Sequence, residues 1–468
     1  MRASSPENAK RGDVKNITDI LRRVPVPVIV VTASVAVGVG AGALAELLKW
    51  LMTMLWRLFA HGINPDRSLN WLLLTLPVAG ILLTMIIQRY VLKRDLSCGS
   101  AKLIKKLHGR GSDYNIPVSD SVWSIILCSL TVGFGASAGT EGPTALSGGA
   151  LASGVGGKCG LQARYLRMLV AIGGGAGIAA IFKAPVGGML YAMEVLEIEF
   201  GALAMFALVL GCLTASVTSM LLSGTPFDVS FGIRFPDNAD IGWIMLLGVF
   251  LGFYSLWYVW TRNKVCAMLD MMKNPWGKAV LTGVAMSWCV FLVPALFGEG
   301  DGVMVSLIRG DFPTLMRQGV FATHHAAGTM FFLALAFILL VKGILVAAAN
   351  NGGGVAGEMV PAMFIGAVAG CLFGHGINQL FGTEVPVWYM SLAAMGAMLG
   401  CSTHAPLMSV FILAEMTNSL RYMPAYVICA LISYMEMKYL NPRSLWFNTG
   451  HDDLKSLRSR LRHTPPQK

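Results

Sequence analysis

Gly139-Thr140-Glu141-Gly142-Pro143 sets a lone carboxylate among small residues. No charge precedes it from 122 to 140, and none follows from 142 to 157. An ionised side chain at membrane depth costs roughly 2.5 to 3.5 kcal/mol on insertion scales, so such a residue is paired, protonated or placed on a watery pathway. Two readings of Glu141 stand side by side: a working residue, and a carboxylate that caps a helix start.

The chain around this stretch belongs in a bilayer. It has 468 residues, 55% of them hydrophobic and 13% charged, with a mean hydropathy of +0.63, which no soluble globule of ordinary surface shows. Uncharged runs at 24–45, 69–88, 200–226, 241–261, 279–298 and 359–382 approach or exceed the roughly 20 residues that cross a membrane as a helix. Other runs, 168–182, 184–193 and 405–414, are broken by Pro, Gly or a charge and are too short to cross unaided. Broken helices at membrane depth are tolerated where they line a cavity, which points to transport.

The formal charge of +11 does not call for a nucleic acid, because the basic residues gather at the edges of the apolar runs without an aromatic-interleaved patch. Arg22 and Arg23 precede the first run, and Arg89, Lys93, Arg94, Lys102, Lys105 and Lys106 follow the second. Arg262, Lys264, Lys273 and Lys278 separate two later runs, and Lys455, Arg458, Arg460 and Arg462 come near the end. The positive-inside rule makes these segments cytoplasmic and puts both termini inside. Residues 1–23 are polar and lack a cleaved signal, so they read as a cytoplasmic segment, and 448–468 as a short basic cytoplasmic tail. The nine cysteines are scattered, with no CxxC pair or metal-ligand spacing, and read as reduced and structural. His324 and His325 read as an ordinary polar connection. No metal or cofactor is expected.

An internal repeat organises the chain. Gly175-Ala176-Gly177, Ala184-Pro185 and Glu194 return as Gly396-Ala397-Met398, Ala405-Pro406 and Glu415, at a constant offset of 221 residues. Gly139, Pro143 and Gly148 return as Gly357, Pro361 and Gly366, at an offset of 218. Two transmembrane halves follow, 24–235 and 241–447. Repeated halves commonly build a transporter whose site lies at the midplane, where half-helix N-termini converge. Whether the halves are parallel or inverted is not written in the letters.

In both repeated motifs a Gly-rich break leads into Pro and then an apolar run, which is how a helix begins. A helix start exposes unpaired N–H groups and the positive end of a dipole worth about 0.3 to 2 kcal/mol to an anion. Two such ends meeting at one point can replace part of an anion's hydration shell without any full positive charge. A carboxylate there occupies the anion's own position, so Glu141 can act both as a gate and as a proton carrier. Glu194 and Glu415, at the ends of short apolar segments, read as structural.

At these residues the chain resembles the CLC family of chloride channels and proton-coupled chloride exchangers, over about residues 24–447. Gly139-Thr140-Glu141-Gly142-Pro143 is similar to the family's G-[KR]-E-G-P, with Thr140 in place of the base, and Gly357-Glu358-Met359-Val360-Pro361 is similar to G-x-F-x-P. Phe182-Lys183-Ala184-Pro185, His404-Ala405-Pro406 and Glu415-Met416-Thr417 resemble further family segments. The resemblance implies an all-α polytopic membrane protein of two inverted halves with tilted and broken helices. It also implies a homodimer in the lipid bilayer, each subunit with its own pore, and residence in the bacterial inner membrane.

Carried over by motif, the resemblance makes Glu141 the gate and assigns the anion to Cys98, Gly99, Gly142, Met359, Val360 and Trp446. Cys98 stands where the family's inner serine would be, in Ser97-Cys98-Gly99-Ser100-Ala101, and Trp446 where its pore tyrosine would be. A thiol is a weaker donor than a hydroxyl, so the central anion should be held less firmly, with Ser97 or Ser100 as substitutes for Cys98. Val195 replaces the second glutamate of many exchangers, which favours a passive or weakly proton-coupled path for chloride or a related small anion. The alternative is a proton-coupled antiporter of chloride or fluoride, in which Glu358, at a position usually apolar, is a proton relay. A different class, an intramembrane enzyme with Glu141 and Glu358 as an acid/base pair, lacks the nucleophile or H-E-x-x-H pattern such chemistry needs.

Overall fold

The structure, a computed structural model, describes residues 24–60, 70–109, 114–224, 240–310 and 328–442. The first half begins with α1 (Val26–Ala60), α2 (Leu76–Ile86), α3 (Gly99–His108) and α4 (Ser119–Gly133), followed by α5 (Glu141–Lys158), α6 (Ala163–Phe182), α7 (Pro185–Glu194) and α8 (Ala202–Ser223). The second half begins with α9 (Asp240–Asp270), α10 (Pro275–Leu292), α11 (Asp301–Arg309) and α12 (Thr329–Asn351), followed by α13 (Met359–Phe381), α14 (Val387–Thr403), α15 (Pro406–Met416) and α16 (Met423–Leu440). Among the described residues, seven helical spans are long and apolar enough to cross a membrane. The fold is all-α, with a single antiparallel bridge, Gly139 to Gly357, among the described residues.

α8 shows how such a helix suits two solvents. Ala204, Ala207, Gly211 and Ala215 are buried against the protein, while Phe206, Val209, Leu213 and Val217 stand exposed on the opposite face. Small residues let helices approach closely and the large apolar ones meet lipid tails, an inversion of the soluble pattern. The Ser219 hydroxyl on the inner face lies 2.6 Å from Glu46 Oε1 on α1 and 2.9 Å from the Ala180 carbonyl, which ties α8 to α1 and α6.

Two spans differ from the sequence expectation. The run 168–182, expected to be too short, is the end of the 20-residue helix α6, which starts at Ala163 and includes Arg164 and Arg167. Both guanidinium groups sit near Glu199 at the helix's polar end, so the charges extend the helix instead of stopping it. The other is α12, among the most apolar of the spans at a mean hydropathy of 2.7, which the runs named from the sequence leave out and which carries one charge, Lys342. Lys342 is fully buried, with Nζ 3.1 Å from the Gly298 carbonyl and 4.5 Å from the centroid of the Phe364 ring. The short broken segments at 184–193 and 405–414 do form short helices, α7 and α15.

The repeat is visible as geometry. α6 and α14 each end on a left-handed residue, Lys183 at φ 55° and His404 at φ 58°, and α7 and α15 each begin with Pro. Side-chain-bearing residues seldom adopt that conformation, so its recurrence at the repeat offset marks one folding unit used twice. The carboxylate of Glu194 accepts from the N–H groups of Leu407 and Met408 at 3.3 and 2.7 Å. Glu415 accepts from Val186 and Gly187 at 3.0 and 2.8 Å. Each half thus caps a helix start of the other, the reciprocal contact a local two-fold axis produces. The expected boundaries at 235 and 447, the terminal segments 1–23 and 448–468, His324, His325 and Trp446 lie outside the described residues.

Candidate functional site

The two halves meet again at the bridge. Gly139 N–H donates to the Gly357 carbonyl at 3.0 Å and Gly357 N–H to the Gly139 carbonyl at 2.6 Å, which ties the starts of α5 and α13 together. Pro143 and Pro361 are each the third residue of their helix, where a missing N–H leaves nothing unsatisfied. α3 brings a third helix start: a Cβ placed on Gly142 would lie 3.3 Å from Gly357 Cα and 3.5 Å from Ser100 N. A side chain at Gly99 would run into the Gly142 carbonyl, so these three segments can converge only because the contact positions are glycine.

Glu141 fills the point of convergence. It is fully buried, and its Oε1 accepts from the N–H of Met359, the first residue of α13, with the backbone of Val360 also against the carboxylate. Its Oε2 has no hydrogen-bond partner. The side chain therefore reaches across to another helix, and a Cβ on Gly357 would occupy the space the carboxylate takes. No cation forms an ion pair with it among the described residues. A cavity lined by Lys49, Thr140, Glu299, Asp301 and Val360 approaches this point from one side.

The other assigned residues distribute as follows. Gly99, Gly142, Met359 and Val360 sit at the three helix starts. Cys98 precedes α3 in a left-handed conformation, φ 53°, and lies within electrostatic reach of Glu358. Glu358 is neither at the surface nor idle: it is 6% exposed, and its Oε1 accepts from Arg262 Nη2 at 2.8 Å and Nε at 3.1 Å. All nine cysteines are free.

Three neighbours of the site were invisible in the letters. Arg262 reads in sequence as one more basic edge of an apolar run, yet it is 1% exposed inside α9. Tyr258, one turn earlier, is fully buried, its hydroxyl has no partner, and it interacts electrostatically with both Glu358 and Glu141. Tyr191 on α7 is also fully buried, donates to Ser100 Oγ at 3.2 Å and feels the Glu141 charge. The one available signal was the four-residue spacing of Tyr258 and Arg262, which puts both on one helix face. Nothing in the sequence said that this face meets Glu358.

Converging helix starts with a carboxylate in their midst, in a two-fold membrane bundle, define a class of ion-handling membrane protein. Residues 79–437 match the family model described as voltage gated chloride channel, and the chain belongs to this CLC family. It is 26% identical over 343 residues to the voltage-gated ClC-type chloride channel ClcB of Citrobacter koseri, covering 71% of this chain and 76% of that protein. Among solved structures it superposes on a slow cyanobacterial Cl-/H+ antiporter with a TM-score of 0.76 and 20% identity, over 90% of this chain and 96% of the other. A CLC-type fluoride/proton antiporter gives a TM-score of 0.71 and 22% identity, over 90% and 97%. The family transports anions across membranes and is not a family of enzymes.

Proposed function

We propose that the chain exchanges a small anion, chloride or fluoride, for protons, with Glu141 as the gate at the anion's position. The observation that carries this reading is the Glu141 carboxylate itself, fully buried on the Met359 amide, with one oxygen idle and no ion pair to it among the described residues. Such a group leaves the amides when it takes a proton or when an anion displaces it, so anion and proton compete through one side chain. The hydroxyl pair Tyr191–Ser100 and the acid Glu358 offer polar groups around it, and the cavity beside it adds Thr140, Glu299 and Asp301. Cys98, Gly99, Gly142, Met359 and Val360 belong to the anion's surroundings in this reading, with Glu358 linked to proton movement.

Passive conduction is the second reading, and Val195 favours it: the side chain is 5% exposed and supplies no acid where many exchangers carry one. The names of the relatives divide the same way, channels among the curated sequences and antiporters among the solved structures. The proposal further places the protein as a homodimer in a bacterial plasma membrane with the basic edges inside, as the charge pattern implies.

Anion-driven proton uptake into liposomes decides between the two. The parent should take up protons against an imposed anion gradient, and its flux should rise as pH falls, because protonation frees the carboxylate from the amides. Glu141→Gln should keep the anion flux and lose both proton uptake and pH dependence. Unchanged rate and pH profile in Glu141→Gln overturn the gate, and anion flux without proton uptake in the parent selects passive conduction.

A further inference from the structure

Outside the Glu141 cradle lies a second cavity, of about 590 Å3, whose walls include Gln88, Arg89, Lys93, Arg94, Lys278 and Asn350. One wall is a π-helical turn, Ile87–Leu92, closed by Lys93 in the left-handed conformation at φ 55°. Such turns are rare and recur at functional sites. Gln88 uses both ends of its amide: Nε2 donates to the Gly353 carbonyl at 2.8 Å and Oε1 accepts from the Leu96 N–H at 2.7 Å, which ties this turn to the chain that follows α12. Asn350, in the last turn of α12, does the opposite. It is 3% exposed, it lines the cavity, and neither its Oδ1 nor its Nδ2 has a partner. Its neighbour Asn351 is settled, with Nδ2 donating to the Ala347 carbonyl at 3.1 Å. A buried amide with both ends idle calls for a partner, and the cavity is the side from which one can come.

The charges around this cavity do not cancel. Asp270 pairs with Lys278 at 3.1 Å, Asp95 with Lys102 at 3.4 Å, and Arg94 with Asp120 at 2.7 Å. Arg89 and Lys93, at the exposed rim, have no carboxylate partner among the described residues. The Nε of Arg94 is buried without a partner as well. Two positive charges thus stand over an amide that offers a donor and an acceptor side by side. A halide, a carboxylate or sulfate only accepts hydrogen bonds and leaves Asn350 Oδ1 idle. The hydrogen phosphate dianion brings the matching charge, oxygens that accept and a hydroxyl that donates.

We infer that this cavity binds free hydrogen phosphate: Arg89 and Lys93 answer its charge, Asn350 Nδ2 donates to one of its oxygens, and its hydroxyl donates to Asn350 Oδ1. A phosphomonoester dianion, as a lipid headgroup would present it, has no hydroxyl and falls with sulfate. The site shares no residue with the Glu141 cradle and does not depend on what passes there. Ser97 in its wall is the residue before Cys98, so the dianion stands beside the start of α3. The basic edges that follow the second apolar run and precede 279 meet at this cavity, and the charge pattern turns them towards the cytoplasm, from which the ligand is drawn.

The test is calorimetric titration of the full-length protein in detergent, at about pH 8 where phosphate is largely the dianion, with sodium phosphate, sodium sulfate and sodium methyl phosphate at equal ionic strength. The parent should bind phosphate at least about tenfold more tightly than either acceptor-only anion, because those leave the buried carbonyl of Asn350 unpaired. Asn350→Leu should erase that preference and bind all three alike. Arg89→Gln and Lys93→Gln should each weaken phosphate and sulfate together by about two- to tenfold, as the loss of a charge-assisted contact at an exposed rim requires. These two residues are exposed, so their variants fold even if Asn350→Leu does not, and unchanged phosphate affinity in both overturns the site. A parent that binds no phosphate, or binds phosphate and sulfate equally, overturns it too, as does an Asn350→Leu protein that keeps the preference. Glu141→Gln should bind phosphate as the parent does while its flux loses pH dependence, so the phosphate site and the gate stand or fall separately.

Discussion

Two places where the halves of this molecule touch behave in opposite ways. At α7 and α15 the contact is symmetric: Glu194 caps one helix start, Glu415 caps its repeat, and the distances nearly match. At α5 and α13 the glycines and prolines repeat, but the residues between them do not. Glu141 is matched by Met359, and Thr140 by Glu358. The symmetric contact is what a duplicated scaffold needs to hold itself together. In the asymmetric one, a carboxylate from one half meets the amides of the other, and the second half adds an acid with its own buried arginine. Side chains have diverged where the halves differ, and architecture persists where they agree.

The largest effect should come from breaking the asymmetric side. Arg262→Ala leaves Glu358 buried without its cation and should lower stability by about 3–5 kcal/mol, read as a thermal melt in detergent. Removing both charges as Met should restore most of that loss, because an ion pair buried in an apolar region is often replaced by apolar packing at little cost. A mild loss in Arg262→Ala would show that the pair is solvated and that its burial matters less than the comparison holds.

Restoring the symmetry by force should come next. Met359→Glu would put a second carboxylate at the start of α13, facing Glu141, and like charges in one buried place cannot both ionise. Anion flux at neutral pH should fall by about tenfold or more, a change of about 1.4 kcal/mol in the relevant equilibrium, and recover as pH is lowered. Flux that ignores the substitution would separate Met359 from the anion's route.

The smallest effect belongs to the symmetric contact. Glu194→Gln and Glu415→Gln should each cost about 1 kcal/mol, the usual worth of a side-chain cap or a carboxylate at a helix start. The two losses should be alike, and neither should alter the pH dependence of flux. A shifted pH profile in either variant would move that residue from scaffold to mechanism.

Much of this was legible because it is written in local rules. Apolar runs, Gly-Pro helix starts and basic edges depend on neighbours in sequence, and the repeat at 221 and 218 residues located the segments that meet. Glu141 stood out because one charge in a long uncharged stretch needs an explanation. α6 and α12 were harder to read, since Arg164, Arg167 and Lys342 looked like interruptions until their partners were known. Arg262 was hidden for the same reason: a basic residue at the edge of an apolar run ordinarily signals the membrane surface.

Local pattern is enough to specify a polytopic helical membrane protein built twice over, with helix starts suited to an anion and a carboxylate among them, because burial and hydrogen-bond demand in a bilayer leave few alternatives. Which amide Glu141 addresses, and that Glu358 has a buried arginine for its partner, emerge with the folded bundle. Those contacts join residues 218 and 96 positions apart, and distances of that kind are set by packing of the whole bundle, which no local pattern encodes.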